Sequence, residues 1–268
     1  MAALTVERRD SVVYLTFDRP EAQNALDPEM IVLLGRAFRE YAEDVELRCA
    51  VLTGRGDTAF SAGADLRRTI PLLTGAREPE DEWDRALLGE PVLMQYALLR
   101  GVDVFKPVVA AVNGYCIAGG MELLQATDVR IAVNTATFAL QEAKWGLFPG
   151  AGSTVRLPQQ IPYCKAMEML LTGERITAQE ALQWGLVNHV VPRSQLGAKV
   201  EWIVRTIAEN GPLAVRKIKE SVIRCMGRPI EEALAREPEF AMTVFASEDA
   251  REGPRAFAEN RLPDFRGR

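Results

Sequence analysis

Two glutamates stand in apolar stretches of the sequence, Glu122 within AGGMEL and Glu142 within LQEAKWGLFPGAG. A buried carboxylate is costly unless it is paired, hydrogen-bonded or neutralised. Either the chain turns these side chains to water, or a site needs a carboxyl group there. Two carboxyl groups in apolar surroundings can share one acid–base task if the fold brings them together. For Glu142 taken alone, a surface residue paired with nearby Lys144 is the simpler interpretation.

Two glycine-containing segments could supply hydrogen-bond donors for the same chemistry. FSAGADL (60–66) and GYCIAGGMEL (114–123) each follow a predicted strand and lead into a predicted helix. Backbone N–H groups are free at such helix starts, and two donors from two loops are what an oxyanion hole requires. Each loop by itself is more simply a tight turn. Neither matches the phosphate-binding patterns GxGxxG or GxxxxGK[ST].

Composition restricts the class of protein. The chain has 268 residues, 48% of them hydrophobic, and a formal net charge of −5. This is enough for one large core with or without an appendage, and the acidic balance makes nucleic acid and anionic membranes poor partners. We expect no secretory signal, no membrane span, no metal site and no disulfide framework, hence a cytoplasmic protein. His189, the only histidine, is expected to be structural.

The elements that must position these residues follow from hydrophobic periodicity. Short strands alternate with helices up to about residue 192, which indicates units with buried parallel strands, and the remainder is helical. We predict an exposed, mobile loop at 75–84 and place Cys116 in the core as a small apolar residue. Strands are predicted at 11–18, 49–53, 107–113, 128–133 and 186–191, and helices at 27–41, 84–104 and in the AGGMEL segment.

Together the motifs resemble those of the enoyl-CoA hydratase/isomerase (crotonase) superfamily, nearly from end to end. The ending and the AKWGLFP segment are most similar to actinobacterial hydratases that act on lipid or steroid side-chain CoA esters. The segments that carry the resemblance are DRPEAQNAL (18–26), AFSAGADL (59–66), NGYCIAGGMEL (113–123), FALQEAKWGLFPGAG (138–152), GLVNHVV (185–191) and EGPRAFAENRLPDF (252–265).

The resemblance implies a role for each site residue. The backbone N–H groups of Ala64 and Gly119 would bind the thioester oxygen, and Glu122 and Glu142 fall at the two catalytic-glutamate positions, 20 residues apart. Glu122 would hold and activate water, and Glu142 would supply the proton that ends on the α-carbon. Retention of both glutamates favours hydration of a 2-enoyl-CoA, with no metal or other cofactor because CoA is part of the substrate. Contacts to substrate or CoA are implied for Ala22, Ala62, Asp65, Leu66 and Gly150.

Three positions depart from the family pattern. Ala118 replaces the first glycine of a common Gly-Gly-Gly run, and GAGST (150–154) replaces the commoner GAGGT, a change expected to alter the acyl pocket. Asn260 stands where some members have a lysine that meets the CoA phosphates of a neighbouring subunit. Arg261 is a candidate to compensate for it.

The predicted fold is α/β: a crotonase-like spiral of ββα units over residues 1–200, with a helical C-terminal module over 201–268. By resemblance that module joins subunits into trimers or hexamers. Three functions stay open. The first is a 2-enoyl-CoA hydratase; the second is a Δ3,Δ2-enoyl-CoA isomerase or a carnitinyl-CoA-type dehydratase. The third is a non-catalytic or RNA-binding protein on this fold, which the acidic balance and the two glutamates disfavour.

Overall fold

The computed structural model describes residues 2–268, which form two β-sheets and a set of surrounding helices. The strands are β1 (Leu4–Arg9), β2 (Val12–Phe17), β3 (Cys49–Gly54), β4 (Ala59–Ser61), β5 (Val108–Val112), β6 (Tyr115–Ile117), β7 (Val129–Val133), β8 (Thr137–Ala139), β9 (Ile176–Thr177) and β10 (His189–Val191). The helices before β9 are α1 (Pro28–Glu43), α2 (Thr69–Leu73), α3 (Glu82–Gly89), α4 (Pro91–Ala97), α5 (Gly119–Leu124), α6 (Ser153–Gln160) and α7 (Tyr163–Thr172). They are followed by α8 (Ala178–Gln183), α9 (Arg193–Glu209), α10 (Pro212–Cys225), α11 (Ile230–Phe245) and α12 (Asp249–Ala258), and two short 3-10 helices span Pro20–Ala22 and Glu142–Trp145.

From β3 to β8, successive strands alternate between the two sheets. The larger sheet has the order β1-β2-β3-β5-β7-β10, and the smaller has the order β4-β6-β8-β9. All pairs are parallel except β1 with β2 and β8 with β9. Each of the pairs β3/β4, β5/β6 and β7/β8 therefore places one strand in each sheet before the chain becomes helical. This confirms the predicted α/β class and the ββα units.

The central strands of the larger sheet are buried on both faces, which explains their continuous apolar sequences. In β3 and β5, Leu52 pairs with Ala110 on one face and Val51 pairs with Val109 on the other. The first face packs on the main core, which includes residues of α1 and the smaller sheet. The second face packs on α9, where Ile203 contributes to a separate apolar cluster.

Helix α1 begins where its sequence predicts. The Asp27 side chain accepts a hydrogen bond from the backbone N–H of Met30 at 2.9 Å, and Pro28 occupies the first helical position. A side-chain acceptor at the N-cap and a proline directly after it are the favoured start of a helix. The apolar stripe of α1 then packs against α4 and the core.

One prediction between residues 75 and 104 is wrong. The single helix expected at 84–104 is divided into α3 and α4, because Pro91 lacks an N–H for a continuing helix. Residues 98–104 are not helical. The segment 75–84 is largely exposed, as predicted, but its last residue is buried and anchors it. Arg77 makes two hydrogen bonds, of 2.5 and 2.7 Å, to Asp84, whose side chain is fully buried.

The C-terminal part is helical from α9 onward, as predicted, and α10 is tied to the core by the ion pair of Lys219 with Asp128 at 2.7 Å. Within residues 2–268 no helix is long and apolar enough to cross a membrane. The last three helices and the segment after them leave large apolar side chains exposed: Ile218, Val222, Met226, Ile230, Leu234, Met242, Phe245, Phe257 and Leu262.

Candidate active site

A cavity of about 620 Å³ lies where the loops after β4, β6 and β8 meet helices α2 and α4. One wall is apolar and includes Ile70, Leu73, Met94, Leu98, Leu147 and Phe148. The two glutamates belong to the same lining. The lining contains seven of the nine residues predicted for the site: Ala62, Ala64, Leu66, Gly119, Glu122, Glu142 and Gly150.

The backbone N–H groups of Ala64 and Gly119 lie close together at the cavity wall. Leu26 pairs with Ala64 in a parallel bridge that uses the carbonyl of Gly63 and the N–H of Asp65, which leaves the N–H of Ala64 outside the bridge. Gly119 is the first residue of α5, where N–H groups have no helical partner. A Cβ built on Gly119 would lie 3.3 Å from the nitrogen of Ala64. Two neighbouring donors at a helix start suit a developing oxyanion.

The backbone at this point is strained. Ala118, the residue directly before α5, has φ 49° and ψ −126°, a conformation that a side chain disfavours. Gly63 faces it with φ 87°, and a Cβ there would approach Ala118 Cβ and the nitrogen of Gly119 to 2.7 Å. The tight crossing of the two loops therefore requires glycine at position 63 and holds Ala118 in an unfavourable backbone geometry.

Glu122 is buried, with 4% of its surface exposed, and one of its oxygens is bound by the loop before α6. Oε1 accepts hydrogen bonds from the backbone N–H groups of Ala151 at 2.8 Å and Ser153 at 3.2 Å. Burial raises the pKa of the carboxyl group above its ordinary value, while hydrogen bonds from Ser153, Ala151 and Gly152 oppose that rise. Helix α5 thus presents a carboxylate whose charge has fixed donors.

Glu142 begins the 3-10 helix after β8 and has 8% of its surface exposed. Its Oε2 is buried and has no hydrogen-bond partner among residues 2–268. Burial raises the pKa of Glu142 to about 7, and repulsion from Glu122 adds to the rise. The interpretation of Glu142 as a partner of Lys144 is wrong, because Lys144 pairs with Glu174 at 2.7 Å.

The two carboxyl groups therefore differ in protonation tendency within one cavity. Glu122 has backbone donors that favour its ionised form, whereas Glu142 has none from other residues and holds a proton near neutral pH. A carboxylate and a carboxylic acid held together in this way can act as a base and an acid in one reaction. Because the sites interact, the protons leave in two steps that belong to the pair.

Two of the residues predicted to contact CoA lie outside the cavity lining. Asp65 accepts hydrogen bonds from the backbone N–H groups of Arg67 and Arg68 at 2.9 and 3.1 Å, and so caps the turn that starts there. Its own N–H donates to the carbonyl of Leu26. Ala22 ends the first 3-10 helix, and its neighbour Gln23 lines the cavity instead. Their contacts to CoA stay predictions.

Sequence reasoning did not identify two arginines of the cavity, Arg100 and Arg175. The guanidinium of Arg175 lies 4.8 Å from the ring centre of Tyr115, the tyrosine of the GYC motif. The course of the chain before each arginine was not predicted from the sequence. Hydrophobic periodicity therefore gave no indication that either side chain faces the cavity. Both place positive charge beside a cavity that two carboxyl groups share.

The departures from the family pattern have structural consequences. Ser153 is fully buried and lies outside the cavity lining, with contacts to Glu122 and Gln125, so the expected effect of GAGST on the acyl pocket stays a prediction. Arg261 bonds to Glu252 at 2.5 Å and to Glu259 at 2.6 Å, so within the subunit its guanidinium is already engaged.

The two core predictions outside the site have clear outcomes. Cys116 is fully buried in the main core, as predicted. His189 lies in the edge strand β10, paired with Ile131, and is not part of the cavity lining. Burial, together with nearby Lys199, lowers the pKa of the imidazole. This placement fits the expected structural role.

Comparison with known proteins gives consistent results over the whole chain. The family model described as enoyl-CoA hydratase/isomerase matches residues 7–268. The enoyl-CoA hydratase EchA19 of Mycobacterium tuberculosis is 43% identical over 98% of this chain and 96% of its own. A carnitinyl-CoA dehydratase of Salmonella typhi is 38% identical over 99% of both chains. The crystal structure of an enoyl-CoA hydratase from Bacillus anthracis superposes with a TM-score of 0.88 at 34% identity, covering 99% of this chain and 100% of that one.

Proposed function

The chain belongs to the enoyl-CoA hydratase/isomerase family, and we propose that it adds water across the 2,3 double bond of a 2-enoyl-CoA thioester. The observation that carries the proposal is the pair of buried carboxyl groups with different protonation tendencies in one cavity, Glu122 and Glu142. Hydration needs both an acid and a base at adjacent carbons, whereas a simple binding site has no use for two buried, repelling carboxyls.

The thioester oxygen would accept hydrogen bonds from the N–H groups of Ala64 and Gly119. These donors polarise the conjugated double bond and stabilise the enolate that forms when water adds. One well-placed donor of this kind is worth roughly 3 kcal/mol in the transition state. Because both donors belong to the backbone of packed loops, they need no reorganisation during the reaction.

The two carboxyl groups would complete the addition. Glu122, ionised, takes a proton from a water molecule as the water oxygen bonds to the β-carbon. Glu142, protonated, delivers its proton to the α-carbon as the enolate collapses and the thioester carbonyl reforms. The pair then exchanges protons with solvent to restore the starting state. Positioned acid–base groups contribute on the order of 10²–10⁴-fold in rate, and no step requires a metal or a redox cofactor, since CoA enters with the substrate.

The apolar wall of the cavity supports an acyl chain of lipid or steroid origin, as in fatty-acid or steroid side-chain β-oxidation. The wall is supplied by α2, α4 and the segment around Phe148. An apolar acyl group gains roughly 25 cal/mol for each Å² removed from water. The reacting carbons would lie at the backbone donors and the two carboxyl groups, and the acyl chain would extend from them along the apolar side chains.

A second candidate activity is that of the carnitinyl-CoA dehydratase relative. An isomerase activity would also use acid–base groups of this type. Both alternatives are separable from hydration because they differ in the substrate that disappears.

A turnover panel tests the proposal directly. Purified protein is incubated with crotonyl-CoA, long-chain and steroid side-chain 2-enoyl-CoA esters, a 3-enoyl-CoA ester and carnitinyl-CoA. The conjugated-thioester absorbance is followed together with the acyl-CoA products: hydration removes this absorbance, whereas isomerisation of the 3-enoyl ester and dehydration of carnitinyl-CoA create it. We expect hydration of at least one 2-enoyl ester to exceed turnover of the other two classes. Faster turnover of the 3-enoyl ester or of carnitinyl-CoA would replace hydratase by the corresponding activity.

We further propose that residues 201–268 form a module through which the chain assembles into a homo-oligomer, a trimer or a hexamer. Supporting this, α10 to α12 and the segment after them expose an unusual amount of apolar surface, with Phe257 86% and Leu262 90% exposed. Contiguous exposed apolar surface of this kind is typical of interaction sites. Helix α9 spans the proposed boundary at residue 200 and packs on the core sheet, so the support for the module comes from α10 to α12 and the segment after them.

A further inference from the structure

We propose that Arg156 is a positioning residue for Glu122: its guanidinium fastens the loop that binds the Glu122 carboxylate to the end of helix α4. The inference rests on the proposed hydratase function and adds to it a residue that does not line the cavity. Arg156 lies on α6 and is partly buried. It acts on the carboxylate through the backbone between them, not by touching the substrate.

The Glu122 carboxylate is bound by the donor loop, which is defined here as residues 151–153. The backbone N–H groups of Ala151 and Ser153 donate to its Oε1 at 2.8 and 3.2 Å. Because both donors belong to the backbone, the position of the carboxylate depends on where the loop itself is held. A movement of the loop would move Glu122 relative to Ala64 and Gly119.

The guanidinium of Arg156 holds this loop by two contacts, which we call the Arg156 clamp. Its Nη2 donates to the carbonyl of Leu99 at 2.6 Å, and its Nη1 donates to the carbonyl of Ala151 in a longer bond of 3.4 Å. A Cβ built on Gly152 would lie 3.2 Å from Nη1 and 3.4 Å from Cζ, so the guanidinium packs directly on this glycine. One planar group thus joins the donor loop to a segment distant in the sequence.

Leu99 supplies its carbonyl from an unusual backbone conformation. It has φ 47°, which is disfavoured for leucine, and the next N–H, that of Arg100, bonds back to the carbonyl of Gln95 at 2.8 Å. This is the closure of a helix end that glycine most often provides. Leu98 and Arg100, on either side of Leu99, line the cavity. The Arg156 clamp therefore fixes the donor loop to the cavity wall.

The positive charge of Arg156 can be separated from its shape. Burial lowers the pKa of the guanidinium from its ordinary value, nearby Glu122 opposes this change, and Arg100 adds to it. A lysine at position 156 would keep a positive charge near Glu122. Its single nitrogen cannot reproduce the planar fork with which arginine reaches two carbonyls. Arg156→Lys therefore removes the clamp and retains the charge.

The test compares steady-state hydration by the parent, Arg156→Lys and Arg156→Met. Both variants lose the clamp, so the carboxylate is held less precisely and kcat should fall roughly 10- to 10²-fold in each. KM should stay within about two-fold of the parent value, because Arg156 does not line the cavity. A near-parent kcat in Arg156→Lys would overturn the proposal, since the charge alone would then suffice. A raised KM at unchanged kcat would also overturn it.

Arg48→Lys is the matched control. Arg48 also donates to backbone carbonyls of two separate segments, those of Ala208 at 2.9 Å and Phe265 at 2.8 Å, and it lies outside the cavity lining. Its replacement should lower Tm but leave kcat and KM near the parent values. An equal loss of kcat in Arg48→Lys and Arg156→Lys would assign the effect to general destabilisation and overturn the proposal.

A second measurement separates this inference from the proposed function. Amide hydrogen exchange of the peptide that contains the donor loop needs no turnover. Because a loosened loop exposes the N–H groups of Ala151 and Ser153, exchange should be roughly ten-fold faster in Arg156→Lys than in the parent and unchanged in Arg48→Lys. If the parent hydrates no enoyl-CoA but exchange accelerates, the clamp stands and the proposed function fails. Unchanged exchange in Arg156→Lys with an active parent would overturn the clamp and leave hydration intact.

Discussion

The carboxylate of Glu122 accepts a hydrogen bond from the backbone N–H of Ala151 at 2.8 Å. This contact explains how a glutamate can be 96% buried in an apolar stretch and still carry charge: α5 directs it at the start of α6, where free N–H groups stabilise an anion. Glu142 has no such donors from other residues, and its Oε2 lacks a partner among residues 2–268. The difference between the two carboxyl groups is therefore built into the backbone around them.

The first prediction concerns the roles of the two glutamates. Glu122→Gln and Glu142→Gln keep the side-chain shape but remove the titratable proton, so each should lower kcat by roughly 10²-fold or more. KM should change little, because the lost interactions belong to the transition state. Steady-state hydration of a 2-enoyl-CoA measures both constants. Glu43→Gln, an exposed change at the end of α1, is the control. Normal hydration by Glu122→Gln would end the assignment of Glu122 as the base.

The second prediction concerns stability and pH. The pKa of Glu142 is raised from 4.5 to about 7 in the folded protein, so ionising it there is harder than in the unfolded chain. This penalty is absent below about pH 4.5, grows as the pH rises, and is complete above about pH 7, where it reaches up to about 3 kcal/mol. Glu142→Gln removes it.

We therefore expect Glu142→Gln to raise Tm relative to the parent at pH 8 by more than at pH 5. Thermal unfolding of both proteins at the two pH values measures this. Glu43→Gln should show no such pH-dependent difference. Equal differences in Tm at pH 5 and pH 8 would mean that the raised pKa of Glu142 makes no contribution to folding.

Much of the fold could be predicted from local hydrophobic periodicity and helix-capping residues. The features that could not be predicted depend on contacts between residues distant in the sequence. Asp27 followed by Pro28 marks the start of α1 in the sequence, and the capping contact forms as expected. The strands of the smaller sheet have two or three residues each, too few to show any periodicity. They form because β3, β5 and β7 in the larger sheet hold their chains side by side.

In the site, too, some features could be predicted from the local sequence and others depend on contacts between distant residues. The glycines and glutamates could be identified because apolar stretches with buried carboxyls are unusual, but nothing local showed that Glu122 and Glu142 share a cavity. Nothing local showed that Ser153 contacts Gln125, which lies 28 residues away. The burial of Asp84 was missed because the partner that neutralises it, Arg77, lies in a segment with the composition of a surface loop.

The third prediction uses the strained residue next to the oxyanion loop. Ala118 has φ 49° and ψ −126°, a conformation that glycine adopts without a steric penalty. Ala118→Gly should raise the free energy of unfolding by about 1 kcal/mol, because the relieved strain of roughly 1–3 kcal/mol exceeds the entropic cost of glycine. Gly120→Ala is the opposite case, since its Cβ would meet Ser61 at 2.8 Å. Urea unfolding compares the three proteins, and a destabilised Ala118→Gly would contradict the assigned strain.

The fourth prediction concerns assembly. If the exposed apolar side chains of the last helices are an interface, the purified protein should sediment as an oligomer at micromolar concentration. Phe257→Glu and Leu262→Glu place charge at two of the most exposed positions and should shift it towards the monomer, whereas Val45→Glu, equally exposed but before β3, should not. Sedimentation velocity distinguishes the species. A stable monomer in the parent would exclude the proposed module.

The fifth prediction tests the oxyanion site by adding a single methyl group. A Cβ at Gly119 would lie 3.3 Å from the nitrogen of Ala64 and 3.7 Å from Leu26, so Gly119→Ala fits the fold with a slight adjustment but occupies the space that a thioester oxygen needs. We expect a loss in kcat of about 10²–10³-fold, the cost of removing an oxyanion donor, with Tm close to that of the parent. Gly63→Ala differs in kind. Its Cβ would approach Gly119 N to 2.7 Å at a φ of 87°, so it should lower Tm and activity together. Normal turnover by a folded Gly119→Ala would show that the thioester oxygen binds elsewhere in the cavity. The N–H groups of Ala64 and Gly119 would then not be the oxyanion hole. The roles of Glu122 and Glu142 would still be tested separately by their own variants.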